Sequence, residues 1–356
     1  MGFAIDTRAI RRALLGLGVG LAAGAVCAWL HTPIPWMLGP LFAVAALRVG
    51  GVHVDVPIAT RYVGQWVIGT ALGLYFTPAV MRHVGTIWYL PIIGAALAVV
   101  MGYASGAVLA RLARLDLTTS LFASVPGGAA EMSTLGERYG ARVDRVAAAH
   151  SVRMLLVVAI VPAAFTLAGL RGSDAYVMGT TQFDATGFAI LMIATLAGGL
   201  IARRFDVPNA FVLGALFVAI PLTAAEAQLS SMPTVVSNGA QLLLGCSLGS
   251  KFQRDFLQGA PRFVGAVVVS MLLSIALGAA FGVALALVSG QNAATLVLGM
   301  APGGIAEMAI TAKVLQLGVP LVTAFHVTRL VVVLMLTAPV FARARAWRRG
   351  RSRPRD

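Results

Sequence analysis

Charge is scarce in this chain, and acidic charge most of all. Only 11% of the 356 residues are charged, with 13 Asp and Glu against 27 Lys and Arg. Soluble domains carry about 25% charged residues, so a water-soluble globular fold is excluded and lipid is the solvent for most of the surface. Cysteine is nearly absent. Cys27 and Cys246 each lie in an apolar run, which excludes a disulfide framework and a thiolate zinc site. The five histidines, His31, His53, His83, His150 and His326, form no His-x-x-x-His pattern, so no metal and no other cofactor is expected. Alternation of polar and apolar residues is also missing. The apolar runs are long and unbroken, which rules out a transmembrane barrel and leaves helices.

What is present is a duplication. Pro126-Gly127-Gly128-Ala-Ala-Glu131-Met recurs as Pro302-Gly303-Gly304-Ile-Ala-Glu307-Met, 176 residues later. Each copy is followed by a His and, three residues on, an Arg: His150 and Arg153, then His326 and Arg329. Pro33–Gly39 matches Pro208–Gly214, and Gly69-x-x-Leu-Gly-x-x-Phe76 matches Gly245-x-x-Leu-Gly-x-x-Phe252. Leu21–Gly24 matches Leu196–Gly199, so the apolar run after Arg8, Arg11 and Arg12 is read as a first helix of the repeat and not as a signal peptide. The domain reading is a first membrane repeat at 13–170, a periplasmic linker at 171–185, a second repeat at 186–342 and a basic tail at 343–356.

Each repeat is expected to hold five apolar helices: near 13–31, 36–50, 58–76, 86–110 and 145–169, then 186–202, 208–224, 234–252, 262–288 and 319–342. The Pro-Gly-Gly stretches break two further segments, near 117–137 and 294–316. Such a break is tolerated at membrane depth only inside protein or beside a wet cavity. If each broken segment enters and returns, 22 of the 27 basic residues fall on one side. Arg82, Arg171 and Lys313 fall on the other, and Arg153 and Arg329 stay within the membrane. The basic side is the cytoplasm. The fold class is therefore an all-α integral membrane protein with about ten transmembrane helices plus two re-entrant hairpins. Five crossings is an odd number, so the two repeats are inverted, as in many secondary transporters. Both termini are expected to be cytoplasmic, in a multi-pass membrane protein. The net charge of +14 would suit nucleic acid, but the tail is too short for any reading module, and no direct nucleic-acid binding is expected.

A Gly-Gly tip exposes backbone N–H groups, and the half-helix after it starts with partial positive charge, a ready anion site. Arginine at membrane depth is paired or functional, and its planar fork suits a carboxylate. His150 and His326 lie at i−3 to the arginines on the same helix face and titrate near neutral pH. Two readings stand side by side. In one, Glu131 and Glu307 neutralise Arg153 and Arg329, and the breaks are packing devices. In the other, Pro126, Gly127, Gly128, Glu131, His150, Arg153, Pro302, Gly303, Gly304, Glu307, His326 and Arg329 line a site for an anionic solute or a coupling proton. Gln65 and Gln241 read as interhelical hydrogen-bond partners. His31, His53 and His83 read as loop or interface side chains.

Pro35-Trp-Met-Leu-Gly-Pro40, the Gly-x-x-Leu-Gly stretches, the two Pro-Gly-Gly-x-x-Glu-Met stretches and the two His-x-x-Arg pairs closely resemble the bacterial membrane AbrB family over nearly the whole chain. Members carry the labels of AbrB family transcriptional regulators or of ammonia monooxygenases, and the resemblance implies such labels here. The second copy has Ala215 where the first has Pro40, so the kink expected in copy one is not expected in copy two. Four helices, a Gly-rich hairpin and a fifth helix, repeated inverted, also look like the citrate and glutamate secondary carriers. That likeness is architectural and brings with it an elevator-type homodimer. The first expectation is a transporter of a small, anionic solute, and not an enzyme. The alternative is a membrane-bound regulator of gene expression acting indirectly. An ammonia-monooxygenase-like enzyme comes third, because ammonia oxidation needs copper or iron and the ligand sets are not visible.

Overall fold

The computed structural model describes residues 7–172, 182–227, 229–252 and 261–351. Most of the 171–185 linker and the last five residues of the basic tail lie outside them. Among the described residues there are fifteen helices and no strand. The first half gives α1 Thr7–Trp29, α2 Pro35–Val49, α3 Ile58–Gly73, α4 Pro78–Thr86, α5 Tyr89–Ala113, α6 Leu117–Ser124, α7 Ala129–Arg138 and α8 Val143–Leu167. The second gives α9 Ala185–Arg204, α10 Ala210–Ala224, α11 Thr234–Gly249, α12 Pro261–Ser289, α13 Ala293–Met300, α14 Ile305–Val314 and α15 Val319–Arg351.

Six helices, α1, α5, α8, α9, α12 and α15, are long and apolar enough to cross a membrane. Apolar side chains such as Leu14, Trp29, Leu167, Val235 and Leu287 stand exposed on the outside, as lipid contact requires. The sequence reading counted about ten crossings. The remaining four, α2, α3, α10 and α11, have only 15 or 16 residues, or roughly 23 Å at 1.5 Å per residue against a core of about 30 Å. They are largely buried, and a helix shielded by its neighbours need not match the lipid thickness. Helix α4 was not foreseen. Thr77 caps it by accepting the Val80 N–H at 3.4 Å, with Pro78 at its first position, a start signal that the apolar pattern hid. Helix α2 runs unbroken past Pro40.

The chain forms two compact units. One holds the residues up to Ile87, Met154–Pro261 and Gly304–Thr323; the other holds Trp88–Arg153, Arg262–Gly303 and the residues from Ala324. In the first unit, α1 packs on α2, α9 on α10, α2 on α11 and α3 on α10. Glycines set these approaches. A Cβ on Gly69 would lie 2.5 Å from the Val212 carbonyl oxygen, and one on Gly245 would lie 2.5 Å from that of Met37. Gly73 meets Ala219 as Gly249 meets Val44, and Gly24 meets Trp36 as Gly199 meets Phe211. Every one of these contacts has a counterpart 175 or 176 residues away. Gln65 donates to Asn209 Oδ1 at 3.2 Å, the interhelical bond its position suggested.

In the second unit the long helices α5 and α12 meet through serines: Ser270 donates to the Ser105 carbonyl at 2.8 Å, and Ser274 lies 3.3 Å from the Ser105 hydroxyl. Gly102 and Gly106 of α5 lie against Val125 and Leu121, while Gly278 and Gly282 of α12 lie against Met300 and Val297.

The backbone repeats even where the side chains differ. Left-handed φ values occur at His31 and Asp206, Ile34 and Asn209, Gly51 and Glu226, Arg114 and Gly290, and Gly140 and Gln316. Left-handed backbone is uncommon for non-glycine residues and exceptional for a β-branched one such as Ile34. Its recurrence at matched positions means that the packing dictates the turn and the residue complies.

Candidate functional site

The two Pro-Gly-Gly breaks form in the same way. Helix α6 is started by Asp116, whose carboxylate accepts the Thr119 N–H at 2.7 Å; α13 is started by Asn292, which accepts that of Thr295 at 3.0 Å. Each helix then meets a proline. The residue before it is forced out of the helical region: Val125 sits at φ −59, ψ 131 and Ala301 at φ −59, ψ 138. The next helix begins after Gly128 or Gly304 at its N-cap, with Glu131 or Glu307 at the third helical position. That spacing is a capping box with glycine as the cap. The Glu131 carboxylate folds onto Gly128 and the Glu307 carboxylate onto Gly304, where any side chain would collide with them. Glycine leaves the room that the carboxylate occupies. The positive end of each half-helix therefore already faces a carboxylate from its own chain.

After the first break the chain turns back. Gly136 of α7 packs on Phe122 of α6, Tyr139 stacks on Phe122 with ring centroids 5.8 Å apart, and the Arg142 N–H donates to Thr119 Oγ1 at 3.0 Å. The end of α7 thus meets the start of α6, and the pair is a helical hairpin with Pro126-Gly127-Gly128 at its tip.

A helix break leaves carbonyls without intrahelical partners. The two arginines supply the donors. Arg153 of α8 donates from Nη1 to the Val125 carbonyl at 3.1 Å and from Nη2 to the Gly127 carbonyl at 2.7 Å. Arg329 of α15 donates from Nη1 to the Ala301 carbonyl at 2.6 Å and from Nη2 to the Gly303 carbonyl. The pattern is the same bond for bond. Both side chains are buried, and both breaks lie against one stretch of α5 and α12: a Cβ at Gly102 would stand 2.8 Å from Val125, and one at Gly278 would stand 2.9 Å from the Met300 carbonyl oxygen and 3.5 Å from the Met101 methyl carbon. Since each is bonded to its own break, the second unit brings Pro126, Gly127, Pro302 and Gly303 into one region, with two positive charges in it. The Nε of Arg329 has no hydrogen-bond partner among the described residues.

His150 is fully buried; its Nε2 donates to the Phe122 carbonyl at 2.9 Å, and its Nδ1 has no partner among the described residues. His326 is buried as well. Glu307 is buried and Glu131 half-buried. Sequence reasoning did not anticipate that the arginine forks hold backbone, because the carbonyls of a broken helix leave no trace in residue type. It also missed Ser120, Ser124 and Ser133, buried hydroxyls of the first hairpin with no partner among the described residues. A comparison of the copies could have found them, since their counterparts are Leu296, Met300 and Ala309.

The family model described as "Transition state regulatory protein AbrB" matches residues 8–345. The chain is 26% identical over 352 residues to YhjN of Bacillus subtilis (strain 168), covering 91% of each chain. It is 25% identical over 319 residues to the "Putative regulator AbrB" of Escherichia coli (strain K12), covering 88% of this chain and 90% of that one. Neither name states a substrate. The match takes in both Pro-Gly-Gly breaks and both arginines that hold them, and the chain belongs to the AbrB family.

Proposed function

We propose that this chain is a secondary transporter of a small, anionic solute in the bacterial inner membrane. The observation that carries the reading is the pair of buried guanidinium groups, each bonded to its own helix break. An arginine buried at membrane depth marks a solute or ion pathway by default, and a broken helix is tolerated there beside such a pathway. An anion that comes and goes does so transiently, which is what transport requires.

The architecture proposed with it is two inverted repeats of five crossings, with both termini cytoplasmic and both broken segments entering and returning. The matched glycine contacts, the matched left-handed residues and the hairpin closed by Thr119 and Arg142 support it. The half-helix termini are secondary in this scheme, because Glu131 and Glu307 already occupy them. The guanidinium pair is the anchor. Lipid, the solute and a second copy of the chain are the proposed partners. Uptake by purified protein in proteoliposomes, driven in turn by pH and sodium gradients and tested with a panel of organic anions, checks the function. No uptake of any anion under any gradient overturns it.

A second reading draws on the relatives. The family description and the Escherichia coli name both speak of regulation. In that reading the protein alters gene expression indirectly, by moving or sensing a metabolite. Deleting residues 343–356 and measuring DNA retention separates it from direct DNA binding. We propose no enzymatic activity.

A further inference from the structure

The two halves of the site are not equivalent. Ser120, Ser124 and Ser133 of the first copy correspond to Leu296, Met300 and Ala309 of the second. The three serines are 0%, 3% and 8% exposed, and their hydroxyls have no hydrogen-bond partner among the described residues. This departs from the habit of the molecule. Most other buried helical hydroxyls donate to the carbonyl four residues back: Thr70 to Trp66, Ser105 to Met101, Thr195 to Leu191, Thr223 to Ala219 and Thr323 to Val319, all at 2.7–2.9 Å; outside the hairpin Ser237 of α11 also lacks a partner among the described residues. Buried polar groups are normally satisfied, and three exceptions in one hairpin call for an explanation.

Their placement supplies one. Ser120 and Ser124 lie one turn apart on the same face of α6. The carbonyl of Phe122, between them, takes His150 Nε2, and the carbonyl of Val125, next to Ser124, takes Arg153. Ser133 lies on the returning arm. The contact of Phe122 with Gly136 sets the register of the arms and puts Ser133 level with Ser124 and Val125. His150, which bonds the same hairpin through the Phe122 carbonyl, has its Nδ1 without a partner among the described residues. Neutral groups able to donate and accept thus sit in the hairpin whose break holds Arg153.

We propose that the first hairpin is the recognition half of the site and that the solute is a small hydroxylated carboxylate. Its charge meets Arg153 and Arg329, and its hydroxyl groups meet Ser120, Ser124 and Ser133. This rests on the transporter reading and adds the chemical class. A hydroxyl both donates and accepts, so it satisfies a serine that a bare methylene would leave unpaired. A site built to bond a substrate hydroxyl rejects the analogue that lacks it.

The test uses purified full-length protein and matched pairs of probes: L-malate against succinate and L-lactate against propionate, each read as ligand-induced thermal stabilisation and as competition for uptake. The hydroxylated member of at least one pair is expected to bind about tenfold or more tightly, the low end of such discrimination. In the variant Ser120→Ala/Ser124→Ala/Ser133→Ala the preference falls away and the pair members bind alike. The ligand-free variant melts at the same or a higher temperature, because alanine removes a buried hydroxyl that nothing satisfies. Single Ser124→Ala provides the same readout should the triple variant fail to fold. Pair members that bind equally to the wild type, or a preference that survives the triple change, overturn the inference and leave the transporter reading standing. A ligand-free triple variant that melts well below the wild type also overturns it, since the hydroxyls would then be bonded within the protein. Binding of no member of either pair, together with no uptake of any anion, overturns both.

Discussion

Removing Arg329 tests whether the arginines hold the helix breaks. The side chain is buried and donates to the carbonyls of Ala301 and Gly303. In Arg329→Ala both carbonyls lose a charged donor, and nothing in a lipid-embedded interior replaces it. An unsatisfied buried group costs about 1–3 kcal/mol, so two cost roughly 2–6 kcal/mol. One term opposes this. A buried guanidinium is itself costly to desolvate, and that cost vanishes with the side chain. The loss of two bonds still wins, and the net destabilisation falls near 2–4 kcal/mol. Arg329→Lys keeps the charge and one bond, because an ammonium cannot bridge both carbonyls with a planar fork; it loses about 1–2 kcal/mol. The assay is equilibrium unfolding in mild detergent titrated with SDS, in parallel for Arg329→Ala, Arg329→Lys and the same changes at Arg153. Arg329→Ala with wild-type stability would refute the reasoning, because the carbonyls would then have other donors. The lysine variant also carries the functional question. It should fold and lose uptake; wild-type transport by Arg329→Lys would make the arginine a structural clamp and nothing more.

Four further outcomes are expected. Gly128→Ala and Gly304→Ala displace the Glu131 and Glu307 carboxylates from their helix starts and each lower stability by about 1–2 kcal/mol, measured in the same titration. Gly69→Ala and Gly245→Ala force apart closely packed helices in matched places and each cost about 1–3 kcal/mol, whereas Gly239→Ala, with open space around it, is neutral or stabilising by under about 1 kcal/mol; equal losses at all three positions would count against the packing account. Asp116→Ala and Asn292→Ala remove equivalent caps and each lower the melting temperature by an amount corresponding to about 1 kcal/mol. Single cysteines at positions 83 and 175 should react with an impermeant thiol reagent added outside the cell and those at 138 and 142 should not; external labelling of 138 or 142 removes the re-entrant topology.

Much of the fold is legible in the residues because lipid leaves few choices. A chain with so little charge must close its backbone hydrogen bonds within helices, and the apolar runs announced ten of the fifteen described helices, eight of them to within a few residues at both ends. The duplication exposed the equivalent positions before any coordinates. Where the reading fell short, the cause was local chemistry weaker than the apolar signal. The Thr77-Pro78 start of α4 is a two-residue cue inside a long hydrophobic stretch. The shortness of α2, α3, α10 and α11 follows from neighbours that replace lipid, and neighbours are a tertiary property.

The sequence by itself determined that this is a helical membrane protein, that its key stretch occurs twice, and that Pro-Gly-Gly breaks a helix there, because these depend on solvent, covalent geometry and residue type. Only the tertiary structure decided what the arginines hold. From the residues, Arg153 and Arg329 could equally have faced Glu131 and Glu307 or a solute. The structure puts each carboxylate on the start of its own half-helix and each guanidinium on two carbonyls of the break. Those carbonyls belong to the backbone, which is the same at every position, so no residue letter marks them as acceptors in need of a donor. Their need arises when the helix breaks, and their partner comes from a side chain 26 or 28 residues further along the chain, a distance that only folding closes.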